Sequence, residues 1–217
     1  MTSKMGRKVK KTESSRNIRP LKTAKEINAM KRALQFGTGT VTGQNRNGLR
    51  NAMIFVFGIN TGLRISDIVK AKVADIEDGE WYNLVETKTH KNRHAYIGNI
   101  SQDLADYIAQ MHLKPDDWLF PSRKGEGHIE GKSFYKDLKR AARQCEIDPN
   151  TVGTHTLRKT FGYHYIKSAT TPAGDPDPRA LYKLQKMLNH SSPTTTLRYI
   201  GLEDESMEED LKTFRLG

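Results

Sequence analysis

Apolar residues recur at helical spacing along most of the chain, with one interval where the period drops towards two. Ile27, Met30 and Leu34 are spaced to form one helical stripe. Thr23-Ala-Lys-Glu26 ahead of them is a capping box, which predicts a helix from there to about residue 34, stopped by Gly37-Thr-Gly39. Residues 49–60 are apolar nearly all round (Met53, Ile54, Phe55, Val56, Phe57, Ile59), the mark of a helix buried in the core. Gly62 ends it, and a short helix follows from Arg64 with Ile65, Ile68 and Val69 inward.

The period changes at residues 72–98. Residues 73–76, 81–86 and 93–97 predict three short antiparallel strands, joined by an Asp78-Gly79 turn and by the Lys-rich turn 88–92. Ser101 is expected to cap a helix to about residue 111, and residues 118–122 form an apolar anchor before a Gly-rich loop. A helix over 132–146 turns Phe134, Leu138, Ala141, Ala142 and Cys145 inward. A helix carrying His155 and Arg158, a Pro/Gly/Asp loop over 170–178, a helix over 179–188 and a segment bearing Tyr199 follow. The predicted fold is mainly α with a small antiparallel three-stranded sheet (α+β), without internal repeats or heptads.

Composition narrows the partners. The chain of 217 residues has 36 basic and 25 acidic side chains, a net charge of +11. Eight of the basic residues fall in residues 1–22, against Glu13 alone. That stretch is poor in apolar residues, so residues 1–20 are expected to form a flexible basic arm. A basic body suits a polyanionic partner, usually nucleic acid, although a plain solubility surface explains composition equally well. The longest apolar run, residues 52–59, is too short to cross a bilayer. Cys145 is the only cysteine, so no intrachain disulfide can form, and a reducing cytoplasm fits. After residue 201 the chain turns acidic, and Met207, Leu211 and Phe214 make one apolar stripe; residues 202–217 read as a tail helix that docks on its own domain or on a neighbouring protomer.

The candidate chemistry lies in residues 154–199. His155 and Arg158 are three apart, hence on one helical face. His190 and Tyr199 are joined by a segment that Pro193 must restart. Two histidines, an arginine and a tyrosine can converge on one small anion. His155, His164 and His190 show no ligand-pair spacing of a metal site, so phosphate is the expected anion and no metal or other cofactor is called for. Each of these residues taken singly is more often structural: an ion-pair partner, a bonded histidine or a packing tyrosine.

Together they resemble the tyrosine recombinase (phage integrase) family, whose motif is His-x-x-Arg followed by a second His and, nine residues on, a nucleophilic Tyr. Thr61-Gly-Leu-Arg64-Ile-Ser-Asp67 resembles the family's first motif, and Thr87-Lys88-Thr89 the hairpin that carries its lysine. The resemblance spans about residues 20–201, the expected catalytic domain. It implies a site-specific recombinase of integrase, invertase or resolvase type that cuts and rejoins double-stranded DNA through a 3′-phosphotyrosine, without metal or ATP. It also implies roles: Tyr199 as nucleophile, Arg64 and Arg158 on the phosphate, His155 as base or phosphate donor, His190 as donor, Lys88 as general acid and Asp67 as the residue orienting the site. Lys91 shares the turn and is the alternative acid. Lys8, Lys10, Lys11, Lys91, Arg93 and Lys159 are expected to contact DNA. A homo-oligomer on DNA, dimer or tetramer, is implied, with an accessory DNA-binding protein among the expected partners. The family's usual DNA-clamping domain has no counterpart ahead of residue 20, and in this shortness the chain resembles the fimbrial phase-switch invertases. Asn189 and Lys159 stand where the family commonly has Gly and His. A type IB topoisomerase and a non-catalytic DNA-binding regulator of the same fold are the alternatives.

Overall fold

The computed structural model describes residues 17–37, 46–171 and 177–215. Helix α1 (Ala24–Phe36) begins at the predicted capping box: Glu26 N donates to Thr23 Oγ1, and the Glu26 carboxylate accepts from Thr23 N. It packs on α2 (Arg46–Thr61), the central helix, whose Met53–Phe57 run is buried. Gly62, at φ 62°, turns the chain out of α2, and a Cβ there would also lie 2.4 Å from Phe161. Only glycine satisfies both conditions. The short helix α3 (Ile65–Ile68) then starts with Arg64 at its N-cap position.

The sheet is smaller than the pattern suggested. Val73–Asp75 is a 3-10 turn, and β1 (Ile76–Glu77) pairs with β2 (Trp81–Val85), which pairs with β3 (Asn92–Tyr96) in one antiparallel meander. The β2–β3 register sets Tyr82 opposite Ala95, both buried, and Trp81 opposite Tyr96 on the exposed face. Helix α4 (Ser101–Met111) follows, with Ser101 as its first helical residue, so the expected side-chain cap is replaced by a 3-10 turn leading straight in. In α5 (Gly131–Gln144), Phe134, Leu138, Ala141 and Ala142 point inward as expected, while Cys145 sits half-buried just past the helix end.

The last helices build a second, smaller core. Helix α6 (Thr154–Lys167) gives Leu157 to the main core, and Tyr163 and Ile166 to a cluster shared with α7 (Pro178–Met187), α8 (Pro193–Ile200) and Leu202. It is therefore the common wall of both cores. Gly162 lets α8 approach: a Cβ there would meet Ile200 Cγ2 at 2.7 Å. Helix α9 (Leu202–Thr213) leaves the body after its first turn. From Ser206 to Arg215 every residue is exposed, including Met207, Leu211 and Phe214 at 58%, 70% and 66%. Among the described residues no helix is long and apolar enough to cross a membrane.

Residues 17–20, expected as part of the flexible arm, are packed on the domain. Residues 1–16 lie outside the described part, but Ile18 and Leu21 are buried and Arg19 N donates to the Thr151 carbonyl, so residues 17–22 form a strap on the domain. Most of the 170–178 loop lies outside the described residues too.

Replacing Gly162 by Val overpacks the α6–α8 contact. It is expected to cost about 1–3 kcal/mol, read as a lower midpoint in urea unfolding.

Candidate active site

Four segments meet at one point: the α2–α3 turn, the β2–β3 hairpin, α6, and the α7–α8 junction. Arg158 joins three of them. It is 4% exposed, and its guanidinium donates to the carbonyls of Gly62 at 2.6 Å and Leu188 at 2.5 Å. Burial, opposed by Tyr199 and reinforced by Arg64, pulls its pKa down to about 10, so it remains charged at neutral pH. Gly62 is two residues from Arg64 and Leu188 two from His190, so one side chain fixes the approach of both.

Asn189 is at φ 50°, a left-handed conformation that asparagine tolerates better than most residues. This explains why a residue other than glycine serves just before His190. His190 Nδ1 lies 3.2 Å from Thr196 Oγ1, and its ring meets Tyr199 edge-on at 4.8 Å between centroids. Burial, with Arg158 and Arg64, pushes its pKa down to about 4, so the imidazole is neutral at pH 7.

Tyr199 is half-buried, and its hydroxyl lies 3.1 Å from His155 Nδ1. Burial raises the phenol to about 12, against the pull of Arg158 and Arg64. The His155 pKa is lowered by burial and then by Lys159, Arg158, Arg64 and Lys88. A neutral His155 with its proton on Nε2 accepts the phenolic proton at Nδ1. A hydrogen bond of this kind is the arrangement in which a histidine can take a proton from a hydroxyl nucleophile.

The hairpin is held from two sides. Asp67, buried in α3, accepts from Thr87 N at 2.9 Å and from Ser66 Oγ at 3.3 Å, and its carbonyl accepts from the Tyr82 hydroxyl. It therefore pins the residue before Lys88, which is exposed on the turn. Glu86 does the rest: its buried carboxylate accepts from Arg64 at 3.3 Å, Arg93 at 3.0 Å and Thr89 at 2.7 Å. Burial alone would raise Glu86, but Thr89, Arg93 and Arg64 outweigh it and hold the carboxyl below its ordinary 4.5.

The structure thus brings together Arg64, His155, Arg158, His190 and Tyr199, with Lys88 close enough to act on His155. Lys8, Lys10 and Lys11 lie outside the described residues, and Lys91 is exposed on the hairpin. Arg93 points into the site, tied to Glu86. Lys159 is a correction: it is 9% exposed and its ammonium donates to the Ile18 carbonyl at 2.6 Å, so it is no surface contact for DNA. Glu86 was missed by sequence reasoning. Its signal was a carboxylate in phase with Tyr82 and Leu84 on the inward face of β2. Among the described residues no cluster of His, Cys, Asp and Glu is arranged to hold a metal.

Because folding lowers the Glu86 pKa, the stability it contributes is complete above the unfolded value of 4.5 and is lost as pH falls through the folded one. Glu86→Gln is expected to destabilise the protein by about 1–3 kcal/mol at pH 7. The gap from wild type should close in acid, as measured by urea unfolding at the two ends of that range.

Comparison with known proteins agrees with this geometry. Residues 22–206 match the model of the phage integrase family. The chain is 33% identical over 198 residues to the probable integrase/recombinase YoeC of Bacillus subtilis, covering 91% of this chain and 97% of that protein. It is 27% identical over 171 residues to the tyrosine recombinase XerD of Agrobacterium fabrum, covering 70% of this chain and 49% of that one, so it spans about half of XerD. The fold is similar to that of XerA recombinase, with a TM-score of 0.64 at 18% identity, over 92% of this chain and 66% of the other. It is similar also to the catalytic domain of bacteriophage HP1 integrase, with a TM-score of 0.52 at 20% identity, over 90% and 95% of the two chains. With the family match covering most of its length, the chain belongs to the phage integrase family of tyrosine recombinases, enzymes that cleave and rejoin DNA.

Proposed function

We propose that this chain is a site-specific recombinase in which Tyr199 attacks a DNA phosphate. The observation that carries the reading is the Tyr199–His155 hydrogen bond beside the two arginines Arg64 and Arg158. The phenol oxygen forms a bond to phosphorus while its proton passes to His155. The bond from phosphorus to the 5′ oxygen breaks, and Lys88 gives that oxygen a proton. The product is a 3′-phosphotyrosine and a free 5′ hydroxyl. The ester retains the energy of the original linkage, so attack by a new 5′ hydroxyl rejoins DNA without ATP. Arg64 and Arg158 neutralise the nonbridging oxygens, for which a guanidinium fork is well shaped. Neutral His190 donates to the same oxygens.

Tyr199→Phe is expected to abolish the covalent protein–DNA adduct, seen as a shifted band on denaturing gels with the DNA that flanks the gene, while DNA affinity holds. An adduct surviving in that variant would place the nucleophile at another tyrosine, Tyr163 or Tyr165 first. Relaxation of a plasmid that lacks any special site would instead favour topoisomerase activity, and absence of any adduct a DNA-binding regulator. Inversion, integration or excision then follows from the orientation of the repeats; the phase-switch invertase reading is one of these outcomes.

Lys88 rather than Lys91 is favoured as the acid, because Lys88 is among the charges bearing on His155 and its neighbour Thr87 is pinned to Asp67. Lys88→Ala is expected to slow cleavage of ordinary DNA by about 10²–10⁴-fold. A substrate with a bridging sulfur at the 5′ position should be cut nearly as fast as by wild type, since a thiolate leaves without a proton. An equal and equally rescued defect in Lys91→Ala would shift the role.

The tail supports assembly. Among the described residues its apolar stripe is exposed, and its first turn is tied down by Glu205 to Lys22 and Lys167. A stripe of this kind suits a groove on a neighbouring protomer. Truncation after Glu205 is expected to leave DNA binding and single-strand cleavage intact while abolishing the multimeric complex in native gels and with it full recombination.

A further inference from the structure

We infer that Lys159 is a positioning residue that couples the seat of the strap, residues 17–22, to Tyr199 and His155: its ammonium donates to the Ile18 carbonyl at 2.6 Å and lies 5.2 Å from the centre of the Tyr199 ring. The inference rests on the reading that Tyr199 and His155 carry out cleavage. A lysine this buried needs compensation for its charge. Here the compensation comes from one backbone carbonyl and one ring face, with the carboxylate of Asp204 adding an opposite charge. Its two direct partners belong to the strap and to the helix that carries Tyr199.

The strap is built to hold that arrangement. Leu21 N donates to Thr160 Oγ1 at 2.9 Å, and the Leu21 carbonyl accepts from His164 Nε2 at 2.9 Å, so two further residues of α6 grip it. Pro20 packs against Gly201, two residues past Tyr199, and Lys22 pairs with Glu205 at 3.2 Å in the first turn of α9. The strap thus touches α6 on one side and the α8–α9 junction on the other, with Lys159 between them. A displaced strap would free the ammonium from Ile18 and so move a charge that bears on His155.

The electrostatic consequence is directional. His155 faces Arg158 and Lys159 on its own helix, Tyr199 on α8, Arg64 at the start of α3 and Lys88 on the hairpin. After burial, Lys159 is the strongest influence on it, and like the other cations it favours the neutral imidazole that can accept the phenolic proton. Removing the Lys159 charge should let His155 protonate more readily, and a protonated His155 cannot act as the base.

The test uses the full chain in four forms: wild type, Lys159→Met, Lys159→Gln and Lys159→Arg. Gln keeps a donor for Ile18 but no charge; Arg keeps both. The His155 ring is titrated by NMR in the free protein, its signal assigned by its loss in His155→Gln. Single-turnover formation of the covalent adduct is followed across pH. The Met and Gln forms are expected to move the His155 midpoint and the acid limb of cleavage to higher pH, with cleavage at pH 7 slowed roughly tenfold while DNA affinity holds. The Arg form should restore both positions. An unmoved His155 midpoint in a folded Met or Gln form would overturn the inference, as would an Arg form that shifts as they do. A wild type that forms no adduct would overturn the proposed function instead, and the NMR arm would still decide the place of Lys159.

Discussion

The site depends on the burial of one guanidinium. Arg158 has little access to water, and a charged group in that position must find acceptors. It takes two backbone carbonyls, Gly62 and Leu188, that lie far apart in sequence and belong to different cores. Those bonds draw the end of the core helix α2 and the end of α7 towards α6. Arg64 and His190 arrive in the site because they follow those carbonyls by two residues. The same burial would strengthen the pull of the guanidinium on any anion that reached it.

The charges around it are unbalanced by design of the fold. Arg64, Arg93, Arg158, Lys88 and Lys159 gather within influence of His155, Arg158 or Tyr199, and the buried carboxylate of Glu86 pairs with two of them, Arg64 and Arg93. Glu86 keeps Arg64 and Arg93 apart and aimed, while leaving the net charge positive. Such an excess of positive charge suits a phosphate. The two histidines are neutral and the tyrosine protonated at neutral pH, and the Tyr199 hydroxyl already faces His155.

The edges of the domain serve different ends. The strap closes over α6 and the α8–α9 junction through specific hydrogen bonds and an ion pair. The tail beyond Glu205 does the opposite, exposing an apolar stripe to solvent. A helix that neither packs on its own domain nor loses its apolar residues is suited to partnership with another chain.

The periodic pattern by itself determined most of the helices, because a core-facing stripe or a capping box is a local property of a few residues. Thr23–Glu26, Met53–Phe57 and Phe134–Ala142 fell where the spacing put them. The set Arg64, His155, Arg158, His190 and Tyr199 was legible because its spacings resemble a family's, and its chemistry needs those residue types. Three things were decided only by tertiary structure. The 3-10 turn at Val73–Asp75 replaced a strand because its backbone pairs with the 115–117 segment, which no local period encodes. Glu86 became the counterion of two arginines because three segments met around it. Lys159, by composition a surface cation, was buried because α6 is walled in by both cores and covered by the strap, and burial of a residue is set by what packs against it from elsewhere in the chain.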